Sequence, residues 1–168
     1  MPAPFQIRAL APSDSIGTLT ELLHSAYAQL AALGFNYTAV DQTEEVTRRR
    51  ILGGECYVAC DDNEIIGTIM FYPRARGGCA WLERPDVAGV GQLGILPSWQ
   101  RRGIGTALMA WSEKRARSIG ATEIALDTSE GATHLIRWYT ALGYRQVDIV
   151  QWNGKTYRSL ILSKTLGR

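Results

Sequence analysis

The sequence predicts one mixed α/β domain whose strands and helices follow in the order βααβββαβαββ. Three observations predict it. Short segments alternate apolar and polar residues as strands do, longer segments repeat apolar residues every three or four positions, and glycines separate the two kinds. The 168 residues suit a single domain, which we assign to 1–168. Parallel pairing is expected only where a helix connects two strands.

The first half of the chain predicts two helices between strands. Ser13 or Asp14 caps the first helix, whose apolar stripe includes Leu19, Leu23 and Leu30. The second helix is polar and ends at a pair of glycines. The predicted elements are a strand over 5–11, a helix that follows the cap and is broken at 33–37, a helix over 41–52, and strands over 55–60 and 64–72 joined by a turn.

The second half alternates strands with helices and closes on two strands. Residues 74–86 are rich in glycine and proline and are predicted to form a loop. Asn153-Gly154 is the strongest short signal for a two-residue hairpin. The predicted elements are strands over 87–96, 122–128, 144–152 and 155–164, and helices over 103–119 and 131–142.

The composition argues against a nucleic-acid-binding or a membrane protein. The formal net charge is +2, and charged residues make up 20% of the chain. No apolar stretch approaches the ~18 residues of a membrane span. The runs Arg48-Arg49-Arg50 and Arg101-Arg102 are local, and we interpret the first as a solvated helix face.

The cysteines and the first residues predict a cytoplasmic protein. The chain has three cysteines, and its first ten residues include Arg8 and no apolar leader. Cys56 and Cys60 lie four positions apart in a predicted strand, which separates their Cα atoms by ~13 Å, too far for a disulfide. With two histidines and no clustered ligands, we expect no metal cofactor.

A glycine-rich junction between a strand and a helix predicts an anion site. Residues 100–105 read Gln-Arg-Arg-Gly-Ile-Gly and open the helix that follows Pro97. The first turn of a helix has unpaired N–H groups and a partial positive charge, and glycines allow a phosphate to approach the backbone. A second pattern, GxGxxG over 89–94, lies inside a strand and is followed by proline, so we do not assign it to a dinucleotide.

With Leu93-x-Ile95-x-Pro97 before this junction and Tyr139-x-x-x-Gly143-Tyr144 after it, the chain resembles the GNAT acetyltransferases from about residue 87 to 166. The resemblance implies acetyl-CoA in a cleft between two splayed central strands, as the cosubstrate of an N-acetyltransferase. Its pantetheine arm would pair with the backbone of one strand, and its pyrophosphate would lie on the amides of the helix N-terminus. The implied cofactor-binding residues are Leu93, Gly94, Ile95, Arg101, Arg102, Gly103, Ile104, Gly105 and Thr106.

The resemblance also implies a general acid. Tyr139 stands at the family's tyrosine position, and a tyrosine hydroxyl with a pKa of ~10 can protonate a departing thiolate at neutral pH. The alternative interpretation is packing, because Tyr139 shares a helical stripe with Leu135 and Leu142.

The base is less clear from the sequence. Many relatives carry a glutamate on the strand before the junction, where this chain has Gln92, which cannot accept a proton at neutral pH. Asp127, at the end of a strand, is the alternative catalytic residue. It is equally compatible with capping the following turn, and a chain of water molecules would remove the need for a carboxylate.

The resemblance implies that the acceptor side uses the first two helices, the connection between them and the last strands. We assign to it Phe35, Tyr37, Gln92, Trp152 and Tyr157, although aromatic residues in such a loop also pack against a sheet. The predicted partner is a primary amine of a small molecule, with an N-terminal peptide as a variant. A non-catalytic acyl-CoA-binding domain is the alternative from another class, and a homodimer stays open.

Overall fold

The structure is a computed structural model that describes residues 4–167. Its centre is a seven-stranded sheet. The strands are β1 (Gln6–Ala9), β2 (Glu55–Asp61), β3 (Glu64–Tyr72), β4 (Val87–Ile95), β5 (Glu123–Ser129), β6 (Arg145–Val150) and β7 (Ser159–Thr165). The helices are α1 (Ile16–Ala32), α2 (Glu44–Leu52), α3 (Ala80–Glu83), α4 (Ile104–Ser118) and α5 (Thr133–Ala141). Short 3-10 helices cover Thr38–Val40 and Pro97–Trp99.

The order of strands across the sheet is β1-β2-β3-β4-β5-β7-β6. Every described pairing is antiparallel except that of β4 with β5, the two strands that α4 connects. This is the pairing expected for a helical crossover. The predicted mixed α/β class is therefore confirmed.

The sheet is covered on both faces. One core contains Ile69 and Phe71 of β3 with Leu108 of α4, and the other contains Met70 of β3 with Leu19 of α1. These side chains alternate along β3, as they do in a strand that is buried on both sides. The helices α1 and α4 are thereby fixed on opposite faces of β3, and both also contact β4, the strand that leads into the glycine-rich junction.

The two central strands separate after a short ladder. β4 and β5 pair only over Val87–Gly89 and Glu123–Ala125. Farther along, β4 carries a bulge, because Thr68 pairs with Gly94 whereas Met70 pairs with Gly91. Gln92 stands in this bulge with φ of 53°, a conformation that side chains rarely adopt. The splayed strands expected from the family resemblance are present.

Several predicted ends are shifted by capping. The cap of α1 is Ser15, whose side chain accepts a hydrogen bond from the Thr18 amide, rather than Ser13 or Asp14. Asp14 instead accepts two hydrogen bonds from Arg8, at 2.7 and 2.9 Å. α2 begins after the cap Thr43 instead of at position 41, because Thr38–Val40 form a separate 3-10 turn. The predicted loop 74–86 contains the single turn α3.

The prediction of a two-residue hairpin at Asn153-Gly154 is wrong. β6 ends at Val150 and β7 begins at Ser159, so eight residues connect them. Asn153 and Gly154 do form a turn, closed by the Lys155 amide on the Trp152 carbonyl at 3.2 Å, with φ of 80° at Gly154. Residues 151–158, which we call the β6–β7 loop, leave the ladder because they bind a distant segment.

That segment is the connection between α1 and α2. The Asn36 side chain donates to the Gly154 carbonyl and accepts from the Thr156 amide, both at 2.9 Å, and also accepts from the Thr156 hydroxyl at 3.1 Å.

Among the described helices, none is both long and apolar enough to cross a membrane.

Replacing Asn36 with alanine should loosen the β6–β7 loop. Three hydrogen bonds are lost, and since they are exposed we expect the free energy of unfolding to fall by only about 1–2 kcal/mol. Hydrogen exchange of a peptide covering 151–158 should become faster. Asn153→Ala is the control, since its side chain bonds to no described residue; equal exchange in both variants would contradict this account.

Candidate active site

A cavity of about 470 Å³ opens where β4 and β5 separate. It is bounded by α1, the start of α4, α5 and the β6–β7 loop. Fourteen of the sixteen predicted site residues line this cavity. Those that line it are Tyr37, Gln92, Leu93, Gly94, Ile95, Arg101, Gly103, Ile104, Gly105, Thr106, Asp127, Tyr139, Trp152 and Tyr157. Phe35 stands behind its wall, and Arg102 lies outside it.

The N-terminus of α4 forms one end of the cavity. Gly103 caps the helix with φ of 82°, and the first backbone bond of the helix runs from the Ala107 amide to the Gly103 carbonyl. Within residues 4–167, no acceptor lies in hydrogen-bonding position for the amides of Ile104, Gly105 and Thr106. These three N–H groups and the positive end of the helix dipole form a site for an anion.

The two glycines of this junction have different roles. A Cβ at Gly103 would meet no atom within 4 Å, so glycine is needed there for its backbone conformation. A Cβ at Gly105 would lie 3.3 Å from the Trp138 ring, so glycine is needed there for packing between α4 and α5. Arg102 is exposed and its guanidinium lies 4.7 Å from the centre of the Trp99 ring.

Tyr139 projects from α5 into the cavity. The residue is 8% exposed and packs against Tyr144, with ring centres 5.9 Å apart. Its hydroxyl bonds to no residue of 4–167, whereas the neighbouring Tyr144 hydroxyl donates to Glu113 at 3.1 Å. Burial raises the pKa of Tyr139 above its ordinary value of 10. The hydroxyl is thus protonated at neutral pH and free to donate to a ligand.

Asp127 lies on β5, two residues before its end, and lines the same cavity. Its carboxylate accepts a hydrogen bond from the Trp152 indole at 3.1 Å. Solvent reaches the side chain through the open cavity, and the surrounding protein atoms still remove enough water to raise its pKa above 3.8, against the effect of the Trp152 bond. The alternative role as a helix cap is not seen, since α5 has no side-chain cap.

A cluster of aromatic rings, which we call the aromatic wall, forms the acceptor end of the cavity. The Tyr37 and Tyr157 rings are 5.0 Å apart, and Tyr27 and Phe35 lie 5.6 and 6.5 Å from Tyr37. The Tyr37 hydroxyl accepts from the Ser129 amide at 2.9 Å, which fixes the wall to the end of β5. Phe35 supports the two rings in front of it.

A chain of amide hydrogen bonds lies beneath the aromatic wall. Arg50 donates to Gln42 Oε1 at 2.9 Å, and Gln42 Nε2 donates to Gln92 Oε1 at 3.1 Å. Because arginine only donates, it fixes which atom of the Gln42 amide is oxygen, and this in turn fixes the orientation of Gln92. Gln92 Nε2 is then left buried with no partner among the described residues.

The sequence analysis missed four residues of this site: Tyr27, Gln42, Arg50 and Lys155. The interpretation of Arg48-Arg49-Arg50 as a solvated face holds for the first two and is wrong for Arg50, which is half-buried and lines the cavity. Helical spacing offers a signal for Arg50, since residues three positions apart share a helix face and Thr47, three positions before it, is buried. Lys155 was missed because the hairpin prediction placed it at the start of the last strand, whereas it lies in the β6–β7 loop.

Comparison with known proteins identifies the family. A family model described as the acetyltransferase (GNAT) family matches residues 20–144. The chain belongs to the GNAT acetyltransferase family. The family and the enzyme class predicted from the sequence, an acetyltransferase, are thereby confirmed.

Individual relatives agree in fold and differ in acceptor. The S-(2-succino)cysteine N-acetyltransferase of Bacillus subtilis is 28% identical over 131 residues, which are 75% of this chain and 76% of that protein. An N-alpha-acetyltransferase of Sulfurisphaera tokodaii is 31% identical over 100 residues, 56% of this chain and 59% of that one. A GNAT family acetyltransferase from Elizabethkingia anophelis, solved with acetyl-CoA bound, superposes with a TM-score of 0.71 at 20% identity and covers 97% of this chain and 99% of its own.

Asp127→Asn should stabilise the fold at neutral pH. An acid whose pKa is raised on folding favours the folded state most when it is protonated, at pH values below its unfolded pKa. This contribution is lost as the pH rises through the folded pKa, so at pH 7 the ionised Asp127 lowers the free energy of unfolding. Asparagine carries no charge, so it avoids the cost of burying an ionised carboxylate, and its side-chain oxygen still accepts the hydrogen bond from Trp152. We expect a higher melting temperature than wild type at pH 7 and a difference that narrows as the pH falls towards 4. Asp61→Asn, at the end of β2, is the control. If Asp127→Asn brings no gain in melting temperature at pH 7, the raised pKa of Asp127 is contradicted.

Proposed function

We propose that the protein transfers the acetyl group of acetyl-CoA to a small primary amine, with Tyr139 as the general acid. The observation that carries the proposal is the free Tyr139 hydroxyl, which borders the same cavity as the unpaired amides of α4. Within residues 4–167 the hydroxyl makes no competing hydrogen bond, so it can donate to a ligand that enters the cavity.

The start of α4 fits the pyrophosphate of acetyl-CoA. Three unpaired amides and the open space in front of Gly103 would hold phosphate oxygens. The edge of β4 beyond Gly89 has no pairing with β5, so the backbone from Leu93 to Ile95 is available to the pantetheine arm. The acetyl-CoA bound to the relative from Elizabethkingia anophelis supports the same cosubstrate here.

In the proposed reaction the amine nitrogen attacks the thioester carbonyl carbon. A carbon–nitrogen bond forms, the carbon–sulfur bond breaks, and the products are an N-acetyl amine and CoA as the free thiol. The sulfur gains one proton and the amine loses one. Tyr139 donates the first of these protons, and its raised pKa keeps the donor protonated until the sulfur accepts it.

Asp127 is the residue we assign to the second proton. Its raised pKa makes it a stronger base than an ordinary aspartate, and Trp152 holds it in place from the β6–β7 loop. Gln92, at the position where many relatives carry a glutamate, is bound to Gln42 and accepts no proton. A water relay between the amine and Asp127 is compatible with the open cavity.

A small acceptor suits the acceptor end better than a peptide. Hydrogen bonds of Asn36 and Lys155 join the α1–α2 connection to the β6–β7 loop at this end, and we infer that the joined segments leave less room for a peptide chain than for a small amine. The Bacillus subtilis relative acts on S-(2-succino)cysteine, a small molecule, which supports this choice. The N-alpha-acetyltransferase of Sulfurisphaera tokodaii keeps an N-terminal peptide as the second candidate.

Gly103→Val should weaken acetyl-CoA binding at least tenfold, about 1.4 kcal/mol, because the side chain occupies the space in front of the α4 amides. Calorimetric titration with acetyl-CoA is the measurement. Gly120→Val is a matched control, since Gly120 lies at the other end of α4 with φ of 81° and no atom near its Cβ. Both variants lose stability from backbone strain, so equal affinities would contradict the pyrophosphate site.

Tyr139→Phe should lower kcat by about 10²–10⁴-fold, the usual contribution of a general acid, with little change in acetyl-CoA affinity. Melting temperature should hardly change, because the hydroxyl bonds to no described residue. The assay reads thiol release from acetyl-CoA with a panel of primary amines.

Tyr144→Phe is the control for this variant. It removes a hydroxyl that donates to the buried Glu113, so it should lower the free energy of unfolding by about 1–2 kcal/mol and leave kcat near that of wild type. The reverse pattern, with normal turnover and a lower melting temperature in Tyr139→Phe, would show that Tyr139 serves packing alone.

A further inference from the structure

Two cations at the acceptor end have no anionic partner. Arg50 bonds to the neutral oxygen of Gln42, and Lys155 donates to the Asn36 carbonyl at 2.7 Å and to the Thr38 hydroxyl at 3.1 Å. Seven ion pairs form among residues 4–167, and neither side chain takes part in any of them. Both line the cavity and are partly buried.

This arrangement is costly without a ligand. Burial first, and then the positive charge of Arg50, lower the pKa of Lys155 below 10.5, while Asp127 and the exposed Asp41 act in the other direction. Asp127 is the single carboxylate among the cavity residues, and it already accepts the Trp152 indole. Two partly dehydrated cations thus face one carboxylate, so the acceptor end is short of one negative charge.

A third donor points to the same kind of ligand. Gln92 is 5% exposed, borders the cavity, and has an amide Nε2 without a described partner. Its orientation is set by Arg50 through Gln42, so the orphaned donor and the unpaired guanidinium belong to one hydrogen-bonded unit. Buried donors without partners are rare in proteins, and a bound acceptor group is a common reason for them.

We propose that the acceptor is an amine that also carries a carboxylate, as an α-amino acid does, and that Arg50 and Lys155 bind this carboxylate. The inference rests on the proposed acetyl transfer. The amine faces Asp127 and Tyr139, the carboxylate faces the two cations, and the remainder of the molecule packs on the aromatic wall. A simple polyamine or a neutral amine lacks the group that these cations require.

The test compares amines that differ only in the carboxylate. Phenylalanine is measured beside phenylalaninamide and phenethylamine, and leucine beside leucinamide and isopentylamine, with thiol release from acetyl-CoA as the readout. We expect kcat/KM for the acids to exceed that for the amides and decarboxylated amines at least tenfold. In Arg50→Gln this preference should disappear through a higher KM for the acids alone.

Matched variants separate this role from general damage. Arg49→Gln, on the exposed side of the same helix, should retain the preference, and Arg50→Lys should recover part of it because the charge is kept. Lys155→Gln should act as Arg50→Gln does, with Lys114→Gln as its exposed control. Acids and amides that are acetylated equally well by the wild type would overturn the inference and leave the acetyl transfer standing.

Absence of turnover with all six amines would count against the proposed function, and a binding measurement then decides the inference. Saturation-transfer NMR of phenylalanine and phenylalaninamide is recorded with the CoA-saturated protein. Preferential binding of the acid that Arg50→Gln abolishes supports the carboxylate site. Equal binding of the two, or none, overturns it.

Discussion

The separation of β4 from β5 is the constraint on which the rest of the structure depends. Two parallel strands normally continue to pair until one of them ends, because unpaired backbone groups inside a protein are costly. Here the ladder stops after Gly89, while β4 continues to Ile95. The opening exposes the backbone of β4 and forms a cavity that the start of α4, Asp127 and Tyr139 all line.

The opening is held by packing on the far side of β4. A Cβ at Gly94 would lie 3.2 Å from atoms of Ala26 and Leu23, so glycine lets α1 lie close against the strand. The bulge at Gln92 bends β4 while its other edge stays paired with β3. The glycines of the GxGxxG pattern therefore serve packing and strand curvature, which explains why they occur without a dinucleotide helix after them.

Sequence reasoning succeeded where the physical cause is local. The start of α4 was predicted from Gly103 and Gly105, which follow Pro97 at the end of a strand, and the strand alternation placed Asp127 away from Ile124 and Leu126. It failed where distant segments decide. Asn153-Gly154 has the residues of a tight hairpin, but Asn36, more than a hundred positions earlier, binds the loop and opens it. Arg50 was predicted to be solvated because its partner Gln42 lies outside α2 and is itself held by Gln92 of β4.

The groups assigned to chemistry are also those that the fold leaves incompletely satisfied. Three non-glycine residues of 4–167 have positive φ, and two of them, Gln92 and Arg101, border the cavity. Each such conformation costs about 1–3 kcal/mol and persists only where the surrounding structure imposes it. The buried Gln92 amide without a described partner and Arg50, which takes part in no ion pair among residues 4–167, add to this local cost. Substrates that complete these hydrogen bonds stabilise the folded state as they bind. Groups that lower the stability of the free protein therefore contribute to the affinity for substrate.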